Sequence, residues 1–331
     1  RRVLFRSDDA RRRDPGGERA LHLAERDDVG AGALAREGGD HGLVRVRLQR
    51  VADDRRQAGE GLDIGAVAGL QHRSRVDIGR GAVARGDLGR IIHVQGHFFQ
   101  DWLLHATDYN WRLLASEGGK LRAVGDIGTH WIDAVSFILG ARAESVFAHL
   151  ETFHETRYRP RGEVQTFAKV DPKTMLPYKC DTEDFGSVLL KFGKATHGFV
   201  NGVHANASIS QVAAGWKCSL ALGIYGTKGS VRWDLQQPNE ILVGRRDEPN
   251  QVLQRATAGF SEDIAGFTDY PGGHPEGFPD SHKMHYRAVY QHIVSGRKAP
   301  ALFATAADGH HEVKLCEAIL RSSRSQRWVR A

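Results

Sequence analysis

From Val124 onward the apolar residues Ile127, Trp131, Ala134, Val135, Ile138 and Leu139 recur at helical spacing, and Gly140 supplies a stop. The pattern predicts an amphipathic helix that opens in a glycine-punctuated stretch, GGKLRAVGDIG. Asp126, His130 and Asp133 fall on a different face, where steps of four and three stack side chains on consecutive turns.

Period-two alternation takes over on both sides of this helix. AVARGDLGRIIHVQGHFF predicts a short helix from Gly81, a Gly turn and a strand, and ESVFAHLETF predicts another strand. The Arg/Pro-rich YRPRGEVQTFAKVDPKTMLPYKCDTED reads as an excursion or long loop, of the kind that serves a site or an interface. FGSVLLKF, ATHGFVNGVHA, SLALGIYG, GSVRWDL and EILVG then give five strand-like runs between Gly-containing turns, the spacing of an antiparallel meander. After the Gly/Pro-rich loop 261–280, helices are predicted over 281–295 and 306–322, and RWVR closes as a short strand.

Residues 1–80 carry no such pattern. They lack Lys, Asn, Thr, Cys, Met, Tyr and Trp, hold a single Phe, and contain only scraps of strand-like sequence, LVRVRL and IGAVAGL. Gly30-Ala31-Gly32-Ala33-Leu34-Ala35 matches the G-x-G-x-x-A dinucleotide fingerprint in letters. The preceding HLAERDDV is a poor strand, and the fingerprint works only when a strand feeds the turn and a helix leaves it. The bias is that of a GC-rich coding region translated out of frame. Residues 1–81 are therefore expected to be a non-native or frame-shifted remnant of a dinucleotide-binding domain, irregular in structure.

Composition changes this picture little. A chain of 331 residues with 40% hydrophobic and 26% charged residues has material for two ordinary domains. Much of the Arg excess behind the net charge of +6 lies in an opening without interleaved aromatics, so no nucleic-acid partner is expected. No apolar run reaches membrane-spanning length and no signal-peptide core is visible, which makes a cytoplasmic protein with no membrane partner the default. Cys180, Cys218 and Cys316 are too few and too scattered for a disulfide framework and read as buried thiols.

Asp126 and His130 are the candidate chemistry. Imidazole titrates near neutrality and can take a hydroxyl proton, while a carboxylate one turn earlier can orient it. The residues alone equally allow an Asp capping a helix and a packed His.

The pattern G-D-x-G-x-H-x-x-D, with HFFQDWLLHATDYNWR before it and TEDFGSVLLKFGKATHGFV, IYGTKGSVRWD and YPGGHPEGFPD after it, resembles the Gfo/Idh/MocA oxidoreductases. The resemblance runs from about Ala82 to the C-terminus and implies an NAD(P)-dependent dehydrogenase acting on a sugar, polyol or cyclitol. It implies an α+β fold for residues 82–331, a substrate and oligomerisation domain. Helices would cover one face of an open, mainly antiparallel sheet, and the family's N-terminal Rossmann domain is garbled or absent. His130 and Asp126 match the family's catalytic His and Asp. Trp111 and Arg112 match a pair that touches the cofactor, against the plainer reading of a buried Trp with a surface Arg. Asn110 and His274 are added as substrate contacts, because polar groups in loops at a cleft mouth set specificity.

The cofactor implied is NAD or NADP, and the partner implied is a second copy docked through the sheet. The family's active-site Lys, in a Glu-Lys-Pro motif, has no counterpart, since the first lysine is Lys120. The chain as written is therefore expected to be inactive. Two alternatives stand beside this reading: a non-catalytic sugar-binding or dimerisation module, and a metal-dependent isomerase built on Asp126, His130 and His274.

Overall fold

The computed structural model describes residues 73–162, 171–255, 268–299 and 301–331. The Gly30–Ala35 match and nearly all of the segment expected to be irregular lie outside the described residues. The first described element is helix α1, Arg73–Ala84, so the helix expected from Gly81 begins eight residues earlier. The long excursion likewise contains two strands, and its residues 163–170 are outside the described set.

In chain order the elements are β1 Ile91–Phe99, a π-helical turn Val124–Gly128 running into α2 Thr129–Leu139, β2 Ala143–Glu151, β3 Thr156–Arg159, β4 Leu176–Lys179, β5 Phe185–Phe192 and β6 His204–Ser210. Then come β7 Ser219–Gly226, β8 Ser230–Asp234, β9 Glu240–Gly244, β10 Gln251–Gln254, α3 Phe278–Val294, α4 Ala306–Ser325 and β11 Val329–Arg330. Nine strands form one sheet in the order β10-β9-β8-β7-β1-β6-β5-β2-β11, and β3 and β4 form a separate ribbon. The fold is mixed α+β, and the large sheet is mostly antiparallel.

Two expectations fail here for identifiable reasons. ATHGFVNGVHA is a turn, not a strand, because Gly198 and Gly202 take positive φ values of 83° and 64° that break an extended run. The strand is HANASIS, one step later. The meander is also interrupted: β1 inserts between β6 and β7, parallel to β6 with Phe98 opposite Ile209, and antiparallel to β7. The segment 211–218 between β6 and β7 is too long for a tight hairpin and steps across the inserted strand. Local alternation specifies faces, not which strand lies beside which.

The alternation does decide the faces. Val94 and Phe98 of β1, Val188 and Leu190 of β5, Ala207 and Ile209 of β6, and Leu222 and Ile224 of β7 are buried in one core with residues of α2, α1 and α4. Gly140 ends α2 in the left-handed region at φ 61°, as its position predicted. On the other face, Gln95, His97, Asn206, Ser208, Tyr225, Arg232 and Asp234 line an open concavity of about 530 Å³. Among the described residues no helix is long and apolar enough to cross a membrane, and the three cysteines are free.

Trp131 fixes how closely α2 lies on the sheet. Fully buried, its indole N–H donates to the Ala221 carbonyl of β7 at 2.9 Å, over Gly96 of β1. A methyl group on Gly96 would stand 2.0 Å from that carbonyl oxygen and 2.5 Å from the indole nitrogen. Gly96→Ala is accordingly expected to cost about 1–3 kcal/mol of stability, read as a lowered urea midpoint.

On α4, burial pushes the Glu312 carboxyl well above the usual glutamate range, Asp133 and Asp308 add to this, and Arg142 opposes it. A raised folded-state value means that this site favours folding fully below about pH 4.3, and that the contribution fades as pH rises toward the folded value. Glu312→Gln should match the wild type near pH 4 and exceed it in stability at pH 7–8, in urea titrations at both pH values.

Candidate active site

The site begins with a carboxylate that holds backbone. Glu183, at the entry to β5, accepts the Arg122 N–H on both oxygens and the Val124 N–H on one, each at 2.9 Å. These amides lie just before and at the first residue of the π-helical turn, so their donors would otherwise be orphaned in the core. Burial raises the Glu183 carboxyl, and the two backbone donors partly offset that.

Beside it, Asp184 lies between two fully buried guanidiniums, those of Arg122 and Arg157. Burial pushes Asp184 upward, but Arg122 and Arg157 outweigh it and hold the carboxyl below its ordinary range. Arg157, on β3, also donates to the carbonyls of Leu103 at 3.0 Å and His105 at 3.1 Å, which ties the ribbon to the loop after β1. Arg122 spends a third donor on Gln211 Oε1 at 2.9 Å.

Gln211 then leads to Asp126. Its Nε2 donates to Asp126 Oδ2 at 2.7 Å, and Arg112 Nε donates to Asp126 Oδ1 at 3.1 Å. The helical wheel places Asp126 directly above His130, but the π-helical turn, closed by Thr129 N–H to Val124 carbonyl, changes the register at that point. Both oxygens of Asp126 are turned to Arg112 and Gln211. The Arg112–Asp126 pair is about three-quarters buried, with side-chain exposures of 27% and 22%. His130 is half-buried one turn on, its ring centroid 6.0 Å from that of Phe98.

The remaining expected residues divide. Arg112 stacks its guanidinium over Trp111 at 4.5 Å, so the pair sits at the cluster through Asp126. Asn110 is only 3% exposed, and its side-chain oxygen accepts the Arg112 N–H at 3.1 Å, capping the 3₁₀ turn Trp111–Leu113. That is a structural task, carried by a side chain that is almost fully buried. His274 is exposed, and its loop is anchored elsewhere: buried Arg255 donates to the carbonyls of Tyr270 at 2.7 Å, Pro271 at 2.9 Å and His274. Asn239, next to β9, holds Glu276 of that loop through two hydrogen bonds. β9 and β6 are four strand spacings apart, roughly 19 Å of sheet. His274 is thus anchored apart from the Asp126 cluster.

Arg122, Arg157, Glu183, Asp184 and Gln211 are the residues that sequence reasoning missed. The adjacent acids of TEDFG were a usable signal, because two carboxylates opening a strand that goes on to alternate need partners. Nothing local marks Gln211. Among the described residues no group of three His, Cys, Asp or Glu is arranged to hold a metal ion.

Residues 79–232 match the family model described as GFO/IDH/MocA C-terminal domain. The chain is 25% identical over 315 residues to levoglucosan dehydrogenase of Pseudarthrobacter phenanthrenivorans, an alignment covering 89% of this chain and 75% of that protein. An alignment of that extent reaches upstream of residue 73. Among solved structures, an oxidoreductase domain protein from Kribbella flavida superposes with a TM-score of 0.65 at 26% identity, covering 79% of this chain and 65% of that one. An inositol dehydrogenase homolog from Azotobacter vinelandii, solved with NADH and myo-inositol, shares the fold at a TM-score of 0.63 and 19% identity, covering 81% and 63%. The chain spans less than two thirds of the length of these two solved structures.

The buried triad generates a stability prediction. Asp184→Asn leaves two guanidiniums without their counter-charge and should cost about 3–5 kcal/mol at neutral pH. Because the folded-state value of Asp184 is lowered, its contribution is present above about pH 3.9 and lost as pH falls through the folded value. The variant should therefore lose less stability than the wild type on acidification, in denaturant titrations at pH 7 and pH 3.

Proposed function

Because residues 79–232 are a GFO/IDH/MocA C-terminal domain, we propose that this chain supplies the substrate-binding and proton-transfer half of an NAD(P)-dependent oxidoreductase acting on a secondary hydroxyl of a sugar, polyol or cyclitol. The observation that carries the reading is Asp126, fixed on both oxygens by Arg112 and Gln211, one turn before the half-buried His130. The levoglucosan dehydrogenase and the inositol dehydrogenase homolog support the substrate class by name.

In this reading His130 receives the hydroxyl proton as the carbinol carbon is oxidised. An imidazole suits this because its ordinary pKa lies near neutrality. Asp126 supplies a fixed negative charge at the base of the same helix, which favours the imidazolium as it forms. Arg112, gripped by Asp126 and laid over Trp111, presents a flat cationic surface at the edge of the site. His274 is carried on a loop that Arg255 holds in shape.

The indole of Trp111 and the guanidinium of Arg112 fit the nicotinamide end of a dinucleotide. The nicotinamide, when bound, accepts the hydride. The G-x-G-x-x-A match at Gly30–Ala35 follows HLAERDDV, a poor strand for feeding a pyrophosphate-binding turn, so nucleotide affinity in this chain by itself is expected to be weak. A second copy is the proposed occupant of the open sheet face, where polar and aromatic side chains line the concavity.

NADH formation at 340 nm with levoglucosan or myo-inositol tests the activity, and ligand-detected NMR with the same sugars tests binding. In any preparation that turns over, His130→Ala should lower kcat about a hundredfold or more, and an unchanged kcat would remove His130 from the mechanism. Sugar binding without NAD(P) reduction would favour the non-catalytic module.

A further inference from the structure

Gln211 is fully buried and directly follows β6, which ends at Ser210. It stands between two charges of opposite sign. Its oxygen accepts from the Arg122 guanidinium at 2.9 Å and its nitrogen donates to the Asp126 carboxylate at 2.7 Å. The flanking charges fix which way the amide points, since a flipped amide would set N–H against a cation and a carbonyl against an anion. On its far side Arg122 is locked by Asp184, Thr182 and, through its backbone N–H, Glu183.

We propose that Gln211 is the positioning residue of this site. It transmits the fixed location of the Arg157–Asp184–Arg122 cluster to Asp126, and through Asp126 to Arg112 and Trp111. Three features support this over a simple core-filling role. The amide is aligned end to end between charged partners, and hydrogen bonds to charged groups are the strong ones. Asp126 sits in a π-helical turn, where backbone geometry alone gives its carboxylate no α-helical register to rely on. Arg112, the other partner of Asp126, lies on a partly exposed loop turn, so the rigid side of the pair is the buried one. The consequence for a ligand rests on the reading of Asp126 as the site carboxylate. The positioning itself does not.

Gln211→Glu separates the two jobs. It keeps the volume and the acceptor for Arg122 but replaces the donor facing Asp126 with a second carboxylate. Two readouts are taken on the full chain: the ¹H–¹⁵N resonance of the Trp111 indole, and the affinity for levoglucosan and myo-inositol by NMR titration. The expected result is a displaced Trp111 resonance together with an affinity lowered about tenfold to a hundredfold. A Gln211→Glu protein with a wild-type Trp111 resonance would overturn the proposal, leaving Gln211 as a partner of Arg122 only.

Should that variant fail to fold, Asp126→Asn in protein labelled with ¹⁵N at glutamine side chains serves instead. Loss of the anionic acceptor should shift the Gln211 amide and speed its hydrogen exchange, and an unmoved Gln211 amide would equally overturn the proposal. If the wild-type chain binds neither sugar while the Trp111 and Gln211 resonances respond as expected, positioning stands and the sugar reading falls.

Discussion

Asp184, shut away from water between Arg122 and Arg157, is the interaction from which the rest of the site is built. A charge in that position is tolerable only because two guanidiniums and the backbone N–H of His154 meet it. Those partners come from different parts of the chain: Arg122 leads into the π-helical turn, Arg157 lies on the β3–β4 ribbon, and Asp184 stands at the entry to β5. One ion cluster therefore sets the relative position of the helix that carries His130, the ribbon, and the loop after β1 that Arg157 holds by two carbonyls.

Glu183 extends the same anchor to the backbone. By taking the amides of Arg122 and Val124 it defines where the π-helical turn starts, and the turn in turn decides where Asp126 points. The sheet supplies the opposite wall. Trp131 rests on β7 over Gly96, and the insertion of β1 between β6 and β7 is what brings Phe98 under His130. Tight packing at one glycine and charge pairing at one aspartate thus fix α2 from both sides.

The open face of the sheet follows from the same alternation that builds the core. Once α2, α1 and α4 cover one set of side chains, the other set, with Gln95, His97, Asn206 and Tyr225, is left as a continuous polar and aromatic surface.

Amphipathic period and Gly signals by themselves determined α2 and its stop at Gly140 and most of the strands, and they drew attention to the stretch that carries Asp126 and His130. These are local properties, set by side-chain spacing and by the φ freedom of glycine. Only the tertiary structure decided that HANASIS rather than ATHGFVNGVHA is β6, that β1 runs parallel to it, and that Asn110 caps the 3₁₀ turn Trp111–Leu113. It also decided that the His274 loop is held by Arg255 and Asn239, and that Gln211 stands between Arg122 and Asp126. The physical reason is that strand order and buried charge pairing depend on residues dozens of positions apart. Gln211 and Asp126 are separated by 85 positions, and Arg122 and Asp184 by 62, so no local pattern records their partnership.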